Sequence, residues 1–234
     1  MNLSASENNK LWGTVAVARW SFKVNGAGAE RQFLSHVRAF SSMATRVLVY
    51  CNHFKGNVEP LGPNISIKNM HCSETCFSKF VQRQVERDRP EFVHSHDFIP
   101  GSHSIRLGDG LHSEFIAKMA NGISGLDRFR FSRAWHLPKL IREERTILDR
   151  TLTHIISPSE MCMSEVESRY GCSHLSRAVI HSVVDPRFLT LPLTSEEKSS
   201  VLRVLFVGSG YRRKGLDLLL RALSKLDRKF QLTV

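Results

Sequence analysis

Short runs of strand character alternate with segments of helical period along most of this chain, and that alternation restricts it to few folds. The runs are Thr14 to Ala18, Arg46 to Cys51, Ile65 to Lys68, Phe92 to His96, Ser104 to Leu107, His154 to Ser157 and Ala178 to Ile180. Each is too short for a typical helix, and most are apolar with little alternation, as strands covered on both faces are. Between the first two, Phe33, Leu34, Val37 and Phe40 recur at the spacing of one helix face. Thr75 to Arg87 follows the same period until Pro90 ends it, and Pro158-Ser159-Glu160 opens a helix that runs to about Tyr170. Strands alternating with helices predict an α/β chain built on a doubly wound, parallel, Rossmann-like sheet.

The pattern then starts again. After Asp185-Pro186 a polar stretch, Thr194 to Ser200, reads as a linker. Val201 to Val207 is a new strand, Gly208-Ser209-Gly210 a glycine turn, Lys214 to about Leu226 a helix, and Phe230 to Val234 the start of another strand. The expected organisation is a first domain over residues 1–184, a linker over 185–200, and a second Rossmann-like domain begun over 201–234. A domain takes roughly 100 residues, so the second is expected to be incomplete.

The chain of 234 residues carries a formal charge of +11, which calls for an anionic partner: nucleic acid, a membrane surface or a phosphorylated substrate. No helix-turn-helix, zinc-finger or RNA-module pattern accompanies that charge, so a nucleic-acid partner is not expected. The polar start, Met1 to Lys10, carries no signal-peptide core, and no stretch approaches the roughly 18 consecutive apolar residues of a membrane span. These features predict a cytoplasmic chain. Cys51, Cys72, Cys76, Cys162 and Cys172 form an odd set with no CxxC pair and read as structural thiols.

Two glycine turns stand between a strand and a helix. Gly26 and Gly28 precede the first helix, where the backbone can approach a ligand and free N–H groups favour an anion, although an ordinary turn has the same composition. Gly208-Ser209-Gly210-Tyr211-Arg212-Arg213-Lys214-Gly215 is more telling. Cations at a helix start oppose the helix dipole, and a diphosphate at the carboxyl end of the sheet would account for Arg213 and Lys214 there; a basic, solvated helix start is the other reading. His94 and His96 share one strand face, with Asp97 following; this is read as the floor of a cleft, with no metal expected. From Arg128 through Arg130, Arg133, Trp135 and Lys139, basic and aromatic residues interleave. Such a segment can rest on anionic lipid headgroups, pack its aromatic face on the domain, or stack on single-stranded nucleic acid.

The segment VLFVGSGYRRKGLDLLLRAL resembles the start of the second domain in the retaining glycosyltransferases of GT-B fold, family 4, most closely the lipopolysaccharide-core glucosyltransferases. The glycine loop with Glu30-Arg31, then FVHSHD, FIPGSHSIRLGDG, ISPSE and VVDPRF, follow in the family's order, so the resemblance covers nearly the whole chain. It implies transfer of a hexose, glucose in those relatives, from a nucleoside-diphosphate sugar such as UDP-glucose to a lipopolysaccharide-core or similar glycolipid acceptor. It implies Arg213 and Lys214 on the donor diphosphate, with Gly26 and Gly28 on the donor side, and no metal or other cofactor. Asp109 falls where the family places a polar residue near the reacting centre; a turn residue is the other reading, since Gly108-Asp109-Gly110 is a turn signal. His112 is a second catalytic candidate. The family's use of the segment matching Arg128 to Lys139 implies peripheral attachment to the inner face of the membrane.

The chain departs from the family in two places. His181-Ser182-Val183-Val184-Asp185 stands where an Asn-Gly pair usually precedes Val-Asp, so a valine replaces the hinge-side glycine. The paired glutamates that grip the donor ribose and sugar in the family have no counterpart before Val234. An alternative function is therefore an inactive remnant that binds acceptor or anionic membrane without transfer.

Overall fold

The computed structural model describes residues 10–24, 26, 28–56, 61–120, 136–182, 190, 201–208 and 211–234. The chain divides into two compact units, Met1–Val183 and Val184–Val234.

In the first unit the strands are β1 (Trp12–Lys23), β2 (Ala44–Lys55), β3 (Ile65–Met70), β4 (Phe92–Ser95), β5 (Ser104–Arg106), β6 (His154–Ser157) and β7 (Ser176–Val179). They form one sheet in the order β3-β2-β1-β4-β5-β6-β7. Every pairing is parallel: Val15 to Ala18 of β1, for instance, lie beside Val47 to Tyr50 of β2 on one side and Phe92 to Ser95 of β4 on the other. The helices between them are α1 (Gly28–Met43), α2 (Glu74–Asp88), α3 (His112–Ala120), α4 (Leu137–Ile147) and α5 (Glu160–Tyr170). Chain order reverses direction across the sheet between β1 and β4. That is the switch point at which parallel α/β sheets open a crevice beyond their carboxyl ends.

Residues of opposite parity on β1 feed opposite cores. Val15 and Val17 join Phe33, Leu34 and Val37 of α1, while Ala16 and Ala18 join Phe77 and Val81 of α2, all buried. A third core unites Ile105 and Leu107 with Ile147, Ile155, Met163 and Val166 at the other end of the sheet. These faces explain the unbroken apolar run in β1, where each side chain meets a helix whichever way it points. β1 extends well past the run predicted for it, with register shifts between Arg19 and Ser21 and between Ser21 and Lys23.

Helix limits follow local chemistry. Ser73 caps α2 by accepting from the Cys76 N–H at 3.3 Å, and Arg89, in a left-handed conformation at φ 45, returns its own N–H to the Val85 carbonyl just before Pro90. Ser159 caps α5 in the same way, and Gly171 closes it at φ 61.

The described part of the second unit holds two parallel strands, β8 (Leu202–Leu205) and β9 (Phe230–Thr233), with α6 (Tyr211–Lys214) and α7 (Leu216–Leu223) between them. The helix expected from about Lys214 to Leu226 is α7, and the short α6 before it was not expected. Gly215 adopts a left-handed φ of 83 and stops α6 before the leucine-rich face of α7 begins.

Candidate functional site

Because all strands of the first unit are parallel, the residues that follow them collect along one edge of the sheet. Gly26 and Gly28 come after β1, His96 and Asp97 after β4, and Asp109 and His112 after β5. Gly26 is half-buried against the Glu30 side chain, whereas Gly28 is exposed at the first turn of α1, and a β-carbon there would meet no atom within 4 Å.

Asp109 is exposed in the turn between Arg106 and Leu111, and its carboxylate has no hydrogen-bond or ion-pair partner among the described residues. The turn is fixed by its neighbours. The Gly108 N–H donates to the Arg106 carbonyl at 3.0 Å, and Gly110 sits at φ 72 with Cys162 Sγ close to where a β-carbon would stand. His112 opens α3, with Nε2 3.0 Å from His136 Nδ1. Burial, then the Lys139 ammonium and His136, hold the His112 pKa below its ordinary value, partly offset by Glu143 and Glu74.

Beneath His112 the start of α3 is anchored by a carboxylate. Glu143 of α4 is fully buried and accepts from the Ser113 N–H at 3.1 Å, from the Ser113 hydroxyl and from the Tyr170 hydroxyl at 2.7 Å. An anion at a helix N-terminus satisfies free N–H groups and faces the favourable end of the dipole. Glu74, in the first turn of α2, binds Arg142 at 2.8 Å and Lys139 at 3.3 Å. Lys139, assigned from sequence to a membrane surface, therefore faces a carboxylate of its own unit. Arg128, Arg130, Arg133 and Trp135 lie outside the described residues.

At the switch point itself the structure assembles a cluster that sequence reading showed only in part. His94 and His96 project from the end of β4 toward the face that α1 covers, and α1 contributes His36. His36 Nδ1 lies 3.0 Å from His94 Nε2 and 3.1 Å from His96 Nε2, and His94 Nδ1 is 2.6 Å from Ser104 Oγ. Burial pushes all three imidazoles below their ordinary pKa, His36 to about 4 and His94 to about 3, and His96 in the same direction. Arg106 reinforces the shift at each ring. Asp97 beyond them accepts the Trp20 N–H at 2.5 Å; burial raises its pKa against the opposing pull of that bond and of Arg19. Arg106, buried between β4 and β6, reaches the Ile180 carbonyl at 3.3 Å and Ser182 Oγ at 3.5 Å. His36 carried a signal in the sequence: it follows Phe33 by three residues, on the helix face that packs inward.

In the second unit Lys214 ends α6, and its side chain lies over Gly208, where a β-carbon would stand 3.5 Å from Lys214 Cγ. Gly208 has φ 157, at the border of the left-handed region. Arg213 is placed on the same short helix by its backbone.

The family sequence model described as Glycosyltransferase Family 4 matches residues 26–188. No curated protein sequence matches the chain significantly. Among solved structures, the crystal structure of WaaG, a glycosyltransferase involved in lipopolysaccharide biosynthesis, superimposes with a TM-score of 0.71 at 17% sequence identity. The match covers 93% of this chain and 62% of WaaG, so the chain spans less than two thirds of that protein's length. At that identity the likeness shows the fold, a Rossmann-like arrangement of GT-B type.

Proposed function

The chain belongs to glycosyltransferase family 4, and from that premise we propose that it serves the retaining transfer of a hexose, glucose for preference, from a nucleoside-diphosphate sugar to a lipopolysaccharide-core or similar glycolipid. The observation that carries this reading is the family match across residues 26–188, within which Gly28, Asp109 and His112 all follow parallel strands at one edge of one sheet. The likeness to a lipopolysaccharide glycosyltransferase supports the acceptor class.

In the proposed reaction an acceptor hydroxyl oxygen attacks the anomeric carbon as the bond to the diphosphate breaks. The proton passes to the departing phosphate oxygen, and attack on the face that the phosphate leaves retains the configuration. Arg213 and Lys214 neutralise the diphosphate, so that the leaving group needs no metal. Gly26 and Gly28 leave room for the donor side of the cleft. Asp109 meets the donor sugar near the reacting carbon, consistent with a carboxylate that has no partner among the described residues, and His112 follows it at the start of α3 as a donor or acceptor of a hydrogen bond.

Peripheral attachment to the cytoplasmic face of an anionic membrane belongs to the same proposal. The basic and aromatic order from Arg128 to Lys139 supports it, and among the described residues no helix is long and apolar enough to cross a membrane. The test is incubation with UDP-glucose labelled in the sugar and a glucose-deficient lipopolysaccharide. Label transferred to the glycolipid in the α configuration supports the reading. A donor that binds while the acceptor stays unlabelled contradicts it.

A further inference from the structure

We propose that His36, His94 and His96 bind a divalent transition-metal ion of the zinc class at the carboxyl end of β4, separate from the diphosphate site. The geometry begins with the fold. His94 and His96 alternate with Ser95 and so share one face of β4, and α1 lays His36 across that face. Their nearest ring nitrogens, Nδ1 of His36 and Nε2 of the two strand histidines, all lie within 4.8 Å of one another, with separations of 3.0 Å and 3.1 Å from His36. Zinc–imidazole bonds of about 2.0–2.1 Å in a tetrahedral shell place ligand nitrogens roughly 3.3 Å apart. The two pairs that include His36 need open by only a few tenths of an ångström to admit the ion, with His94 and His96, within 4.8 Å of each other, turning to meet it.

Hydrogen bonding alone serves these three nitrogens poorly. His36 Nδ1 has a single in-plane position, and two other ring nitrogens converge on it. One such pair can share a proton while the third nitrogen is left over. A metal ion accepts all three lone pairs at once.

The surroundings fit that role. Ser104 Oγ lies 2.6 Å from His94 Nδ1, so an Nδ1–H donated to it fixes the ring and turns the Nε2 lone pair toward the ion. Phe33 presses edge-on against His96 at 5.0 Å between ring centres, and Phe40 lies 5.5 Å from His94, which limits how far either ring can turn. Three neutral nitrogen donors without a carboxylate select zinc, cobalt or nickel over magnesium or calcium. The remaining coordination position is left to water.

The experiment is a cobalt titration of the whole chain after dialysis against a chelator. Visible d–d absorption of tetrahedral strength that saturates at one equivalent, and that zinc displaces, is expected. His36→Ala should abolish it while far-UV circular dichroism stays native, because His36, like His96, is only half-buried. Zinc should also raise the melting temperature of the parent chain and leave that of His96→Gln unchanged. Absence of the d–d band together with no zinc-dependent melting shift overturns the site. An undiminished band in His36→Ala also overturns it, since the ion would then sit on other histidines.

Discussion

His112 Nε2 lies 3.0 Å from His136 Nδ1, so the first residue of α3 and the residue before α4 are joined by one imidazole pair. Both rings are held below their ordinary pKa, chiefly by burial. In the unfolded chain they titrate near 6.5. The folded form therefore takes up protons later than the unfolded one as pH falls. The stability from this pair is complete above pH 6.5 and is lost progressively below it, by at most about 1.4 kcal/mol per ring per pH unit. A urea midpoint that drops between pH 7.5 and pH 5, with a smaller drop in His112→Gln, is the expected result. An identical drop in the variant contradicts the linkage.

Glu143 anchors the first turn of α3, the helix that His112 opens. Glu143→Ala strands the Ser113 N–H and the Tyr170 hydroxyl inside the fold. Destabilisation of about 3 kcal/mol is expected from denaturant unfolding. A loss below about 1 kcal/mol would mean that water replaces the carboxylate there.

Gly110 sits at φ 72 with Cys162 Sγ 3.3 Å from the position of an added β-carbon. Gly110→Ala is expected to destabilise the first unit by about 1–2 kcal/mol through the left-handed backbone alone. Serine at position 162 gives little relief if the backbone is the cause, and full relief if the contact is.

Gly28 is the opposite case. An added methyl meets nothing within 4 Å, so Gly28→Ala should leave the melting temperature unchanged or slightly raised. If this loop lines the donor side, the same change weakens UDP-glucose binding. Unaltered binding would remove Gly28 from the site.

Much of the parallel sheet was legible because each central strand is buried on both faces, and Val15, Val47 and Val93 announce that in sequence. The short α6 was not, since Tyr211-Arg212-Arg213-Lys214 has no apolar period of its own and the left-handed Gly215 sets it apart from the leucines of α7. Glu143 was equally hidden: in Arg142-Glu143-Glu144-Arg145 one of two adjacent glutamates is fully buried, and only the arrival of Ser113 and Tyr170 decides which. The histidine cluster was two-thirds visible, because periodicity within one strand pairs His94 with His96, whereas His36 reaches them through the packing of a helix.

Lys214 over Gly208 bears the donor half of the proposed function. Calorimetric titration of UDP-glucose into the chain, beside Lys214→Ala, tests it most directly. Saturable binding in the parent, weakened at least tenfold in the variant (about 1.4 kcal/mol), is the predicted result. No binding to a folded parent, or equal binding in both proteins, would contradict a diphosphate site at this turn.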